Sequence, residues 1–141
     1  MAIAQAMCTS FKTELLTATH NFATNGNAFK LALYAEGSGG KSSTTATLGA
    51  TTTAFVTTGE VASSGTYATG GGTLTKVAPS ASGTTALTDF ADISFTTATI
   101  TAMGALIYND TNSNKAVAVL DFSSNKTSTS GTFTVQFPTA D

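Results

Sequence analysis

Apolar side chains recur at every second position along much of this chain, and at helical spacing along only one stretch. That contrast confines the chain to a mainly β fold. Phe29 to Tyr34 shows the period-two pattern cleanly: Phe29, Leu31 and Leu33 face one way, Lys30, Ala32 and Tyr34 the other. The spacing predicts a half-buried strand. Further β-rich runs follow: 54–61 around Phe55, Val56 and Val61, then 86–95 with Leu87, Phe90, Ile93 and Phe95. The run 98–109 carries Ile100, Met103, Leu106, Ile107 and Tyr108, 115–122 alternates throughout, and Phe133, Val135 and Phe137 close the series. The polar stretch Asp110-Thr111-Asn112-Ser113-Asn114 joins two of these runs as a hairpin. Ser63-Ser64-Gly65 and the segment 79–85 read as turns. Gly70-Gly71-Gly72, inside an otherwise strand-like 66–75, predicts a bulge or a close backbone approach.

Short strands with regularly spaced turns suggest an antiparallel β-sandwich or barrel. The expected core includes Phe90, Ile93, Ile107, Leu120, Phe133 and Val135. The 141 residues suit a single β-rich domain over 1–141. No internal repeat is long enough for a solenoid.

One amphipathic helix is expected, over residues 2–18. Ile3, Met7, Phe11 and Leu15 repeat every four positions, and Ala4, Cys8 and Leu16 widen the stripe. Asn21, Asn25, Gly26 and Asn27 then break it. Residues 35–53 are rich in Gly, Ser and Thr, with Leu48 the one anchor, and read as a long exposed loop or arm that orders on a partner.

Composition narrows the function classes. Charged residues are 10% of the chain and the net charge is −2. All six basic residues are Lys, at positions 12, 30, 41, 76, 115 and 126, scattered and without the Arg fork that reads phosphate and guanine. Nucleic acid is therefore not an expected partner. Nothing approaches the roughly 20 apolar residues of a membrane-spanning helix, and no signal-peptide pattern opens the chain, so a membrane is not expected either. The lone Cys8 forms no intrachain disulfide and, on the apolar stripe, behaves as a small hydrophobe. The sequons at Asn109 and Asn125 are read as chance.

The chemical motifs are thin. Gly37 to Ser42 resembles a phosphate loop, but Ala35 stands where the first Gly belongs and no helix pattern follows. Asp110, Asn112, Asn114 and Asp121 fit part of a calcium loop, yet Lys115 occupies the glycine position. His20 reads as a capping or surface residue after the helix, about three turns from Cys8. Asp89 and Asp92 are close in sequence, but nothing marks them as a catalytic pair. Neither catalysis, a cofactor nor a metal is expected. Tyr34, Tyr67 and Tyr108 are the aromatic candidates for a carbohydrate- or receptor-binding module.

Glu60-Val61, Tyr67 and Gly70-Gly71-Gly72-Thr73-Leu74 lie between Phe29-Lys30-Leu31-Ala32-Leu33-Tyr34 upstream and Gly104-Ala105-Leu106-Ile107-Tyr108 downstream. This order, across most of residues 29–122, resembles small virion structural proteins of tailed bacteriophages. The resemblance implies a non-enzymatic virion component: a capsid decoration (cement) protein, or a tail or head-tail adaptor protein. Small size and the lack of fibre periodicity favour decoration. The expected partners are the major capsid protein and copies of the chain itself, with closed symmetry suggesting a homotrimer. The expected location is the outer capsid surface, after synthesis in the bacterial host cytoplasm.

Overall fold

A computed structural model describes residues 3–35 and 47–140. The fold is mainly β, with antiparallel sheets and one short helix near the N-terminus. The elements in chain order are β1 (Ala6–Met7), α1 (Thr9–Leu16), β2 (Phe29–Tyr34), β3 (Gly72–Thr73), β4 (Lys76–Ser82), β5 (Thr85–Phe90), β6 (Ile93–Asn109) and β7 (Lys115–Val135). Five strands make an open sheet in the order β1-β7-β6-β2-β3, while β4 and β5 form a separate two-stranded ribbon. The described strands close no barrel; they form this one open sheet and the ribbon.

The spine is the long β6–β7 hairpin, turned at 110–114 as its polar sequence predicts. Two of its turn residues, Ser113 and Asn114, adopt positive φ of 55° and 57°. The sequence shows only two short runs, 115–122 and 133–137, where the structure has one strand through Val135. The hydroxyl-rich middle is strand because β6 offers it a ladder, with Thr101 opposite Thr127 and Ala102 opposite Lys126. Tertiary pairing overrides weak local propensity here.

The strand β2 is not half-buried. All its residues except Lys30 are buried, because loops cover both faces of the sheet. On one face Phe22 stacks on Phe29 with ring centroids 4.4 Å apart, and Phe90 lies 5.8 Å from Phe29. The other face holds Tyr108, opposite Lys30 in the register, stacked on Phe55 at 4.8 Å. Gly72 and Thr73 complete the sheet edge beside Leu31 and Lys30.

The helix covers Thr9–Leu16 rather than 2–18. Residues before it are extended. Ala6 and Met7 pair with Val119 and Ala118, the Cys8 N–H donates to the Val117 carbonyl at 3.0 Å, and Ile3 bridges Leu48 in parallel. Sheet bonds on the edge of β7 thus replace the bonds that a longer helix would make. Of the predicted stripe, Ile3, Cys8 and Phe11 are buried, whereas Leu16 is 89% exposed. The segment 79–85 is also not all turn: only Gly83 and Thr84 turn the chain between β4 and β5. Pro79 sits where Ala78 and Pro79 face Thr88 alone, a bulge that tolerates its missing N–H. A break at Ala91 and Asp92 likewise divides the expected 86–95 run into β5 and the start of β6.

Most of the long 35–53 loop, residues 36–46, lies outside the described residues. Of its flanks, Ala35 and Leu48 are buried and the Ala4 N–H donates to the Leu48 carbonyl, while Thr47, Ala50, Thr51 and Thr53 are exposed. Of the expected core, Phe90, Ile107, Phe133 and Val135 are buried, while Ile93 and Leu120 are partly exposed. Ile107→Ala is expected to lower unfolding stability by about 2–5 kcal/mol, the usual range for a buried aliphatic truncation. Leu120→Ala should cost less, since its side chain already meets solvent. Urea denaturation of both variants checks the order.

Candidate interaction surface

The polar residues that the sequence offers for chemistry are gathered into two buried clusters. The first centres on Glu60, which is fully buried. Its Oε1 accepts from the Tyr67 hydroxyl at 3.0 Å and from the Gly70 N–H at 2.6 Å. The Tyr67 hydroxyl oxygen also accepts from the Leu33 N–H at 2.9 Å. Tyr108 donates to the Gly70 carbonyl at 2.7 Å, and Tyr34 to the Val56 carbonyl at 2.5 Å. Burial pushes all three phenols up, reinforced at Tyr34 and Tyr67 by the Glu60 charge and at Tyr108 by Asp110 and then Glu60, which take Tyr108 to about 12. Tyr34, Tyr67 and Tyr108 are buried, so they present no aromatic platform to a sugar or receptor.

The glycine cluster fulfils its predicted role. Gly71 adopts φ +77°, and a Cβ there would lie 1.8 Å from the Leu31 carbonyl oxygen. That close approach lets the 70–73 backbone meet both β2 and the Glu60 carboxylate.

The second cluster contains His20, whose side chain is buried rather than placed at the surface. Its Nε2 lies 2.7 Å from Glu14 Oε2, and Lys115 Nζ lies 2.7 Å from Glu14 Oε1. Its Nδ1 lies 2.9 Å from Asn109 Nδ2, which reaches Asn27 Oδ1 at 3.0 Å. Phe11 packs edge-on against the imidazole at 4.9 Å, and Phe29 stacks beneath it. Burial alone would raise the Glu14 pKa, but hydrogen bonds from Lys115 and His20, with their charges, hold it below the ordinary carboxylate range. The resulting stabilisation is present above that ordinary range and is lost as pH falls through the lowered value.

The other candidates are separated. Cys8 is buried with Sγ 3.9 Å from the Gly49 carbonyl, and burial pushes its thiol up, away from the reactive thiolate. Asp110 pairs with Lys30 at 3.1 Å, Asp121 accepts from the Ser123 N–H, and Lys115 is held by Glu14. Asp89 and Asp92 each accept a different backbone N–H, from Phe90 and Phe137. Among the described residues no three His, Cys, Asp or Glu side chains converge as a metal site. The phosphate-loop-like 37–42 segment lies outside the described residues.

The surface features that stand out are backbone ones. In the β4–β5 ribbon, residues 77–86 are all exposed, so both faces meet solvent. Phe90 anchors its base beside Phe22, Phe29 and Phe137. The second feature is the outer edge of β7. Beyond Val119, no described strand pairs with it. Between the pairs Ala102–Lys126 and Gly104–Asp121, Met103 alone faces residues 122–125, a large bulge with Ser123 at φ 62°. It brings Phe122 to 6.4 Å from Phe133 and helps shape an open groove of about 410 Å³. Lys126, Thr127, Thr132 and Gln136 also line that groove. Sequence reading missed the ribbon and the groove because both arise from pairing register; the signal for the ribbon was Gly83-Thr84 between two weak β runs.

No helix among the described residues is long and apolar enough to cross a membrane. No family model matches the chain, and neither the curated proteins nor the solved structures contain a match to it.

Proposed function

We propose that this chain is a non-enzymatic structural component of a bacteriophage particle, a decoration protein that bridges and stabilises major capsid subunits. The observation that carries the reading is the β4–β5 ribbon, a two-stranded element with both faces exposed. Such a ribbon is marginally stable alone in water and gains order when it lies on another surface. Its Ala, Ser and Thr side chains permit close backbone approach. The open edge of β7 adds unpaired backbone groups suited to strand addition. The segments that resemble virion proteins form one contiguous scaffold: Tyr34 pairs with both Gly104 and Glu60, and Lys30 with Thr73. Those segments support the contact elements rather than make a catalytic pocket. Repeated weak contacts at symmetry-related positions then add through multivalency.

Copy number in purified particles tests this reading. The expected result is hundreds of copies per particle, with loss of the chain lowering resistance to heat or low salt. A small ring number that follows detached tails would replace it with a tail or adaptor role. Absence from the particle would end it.

A further inference from the structure

We propose that the β4–β5 ribbon of one copy seats in the β7 groove of a second copy, joining copies of this chain head to tail. The two surfaces match in chemistry. Leu87 and Asp89 lie two apart on β5 and so share one face of the ribbon, and Val77, opposite Asp89 in the register, joins them. Val77 is 45% exposed, and Leu87 and Asp89 are partly exposed. Leu87 is the large apolar side chain of β5 that lies outside the core, since Phe90 is committed to the aromatic cluster at the base. The ribbon therefore presents two aliphatic groups beside Asp89, its single acidic residue.

The groove presents the converse. The rings of Phe122 and Phe133 lie 6.4 Å apart, and Lys126 is the one charged residue of the lining. The Lys126 ammonium donates to the Ser124 hydroxyl at 2.8 Å, and Asp89 places Oδ1 on the Phe90 N–H at 2.8 Å. Among the described residues neither charge has an ion-pair partner. Leu87 against the two Phe rings, with Asp89 on Lys126, satisfies both surfaces at once.

The backbones match as well. Among the described strands β5 pairs with β4 on one side and with none on the other, and Pro79 and the bulge interrupt β4 rather than β5. The edge of β7 beyond Val119 is open too. Before that point it already takes an extended antiparallel segment, Ala6 and Met7 of β1, so an added β5 continues an interface the fold uses. Within one chain the ribbon does not fill this place: residues 77–86 are all exposed, and the ribbon bonds to no other described strand. Groove on groove would bring two Lys126 side chains into one interface, and ribbon on ribbon two Asp89 side chains, so charge selects ribbon on groove. Because the two surfaces are different parts of one chain, the contact is heterologous and repeats into a ring or a filament. It uses one face and one edge of the ribbon and leaves the other face for a particle surface. The contact itself needs no particle, so it stands apart from the capsid reading.

Sedimentation velocity of the purified chain tests it. The interface is small, so association in the micromolar to millimolar range is expected. Asp89→Lys and Lys126→Glu should each weaken it by at least about tenfold, because each sets like charges together. An equal mixture of the two variants should associate again, since every ribbon then finds a groove of opposite charge. Leu87→Asp, which removes the apolar half of the contact and leaves Phe90 in place, should also weaken association, with an unchanged urea midpoint showing that the fold is intact. A chain that stays monomeric up to about 1 mM overturns the proposal. So does association that Asp89→Lys leaves unchanged, or a mixture that associates no better than its parts. None of these results alters the copy number per particle, so the two readings fail separately.

Discussion

Gly71→Ala lowers the unfolding free energy by more than about 3 kcal/mol, enough to threaten folding altogether. The added Cβ would stand 1.8 Å from the Leu31 carbonyl oxygen, 2.6 Å from its carbon and 2.8 Å from the Ala32 Cα. All three obstacles are backbone atoms, so no side-chain rotation relieves the overlap. The obstructing strand cannot withdraw, because Leu31 is paired with Gly72 on one side and Ile107 on the other. The positive φ of 77° adds its own penalty of about 1–2 kcal/mol for any residue with a Cβ. Gly83→Ala separates the two contributions. Gly83 has φ +57°, but an added methyl would meet no atom within 4 Å, so its substitution should cost only about 1–2 kcal/mol. Urea denaturation of both variants measures the difference. Equal losses would show that conformation, not the close approach to β2, is what Gly71 supplies.

Tyr67→Phe should cost about 2–4 kcal/mol, although it removes a single oxygen atom. That oxygen accepts the Leu33 N–H and donates to the buried Glu60 carboxylate. Its loss strips a buried donor of its partner and removes a hydrogen bond from a buried acidic group. Tyr34→Phe, which gives up one bond to the Val56 carbonyl, should cost about 1 kcal/mol. The ring contact of Tyr67 with Phe95 at 4.9 Å survives in the phenylalanine variant, so the measured loss reports the polar network. A loss no larger than that of Tyr34→Phe would place Glu60 under the care of other partners. The network also has an alkaline limit. The Tyr67 phenol is raised mainly by burial, so its stabilisation is complete below the ordinary tyrosine range near pH 10 and declines as pH rises beyond it.

Several elements were legible from the chain alone. Alternation located β2 to the residue, and a polar stretch rich in turn formers located the β6–β7 turn. The triple glycine announced a close backbone approach, which Gly71 makes against Leu31. Cys8 was read correctly as a buried apolar group, although it lies just before the helix instead of within it. What misled was spacing without context. Ile3, Met7, Phe11 and Leu15 fit a helix, yet the N-terminal part of the stripe is extended because the edge of β7 satisfies its backbone. His20 looked like a surface cap because nothing local reveals that Phe11, Phe29 and Asn109 enclose it.

Period-two patterning and turn chemistry determined that the chain is mainly β, where its clearest strands lie and where its main hairpin turns. These are properties of neighbours in sequence, and side-chain alternation reports them directly. Only the tertiary structure decided that the hydroxyl-rich part of β7 is strand, that β2 is covered on both faces and that the β4–β5 ribbon has no sheet neighbour among the described residues. It likewise assembled Glu60 with Tyr67 and Gly70, and Glu14 with His20, Asn109 and Lys115. Those outcomes depend on partners distant in sequence, where a backbone ladder or a buried hydrogen bond outweighs the small preferences that single residues express.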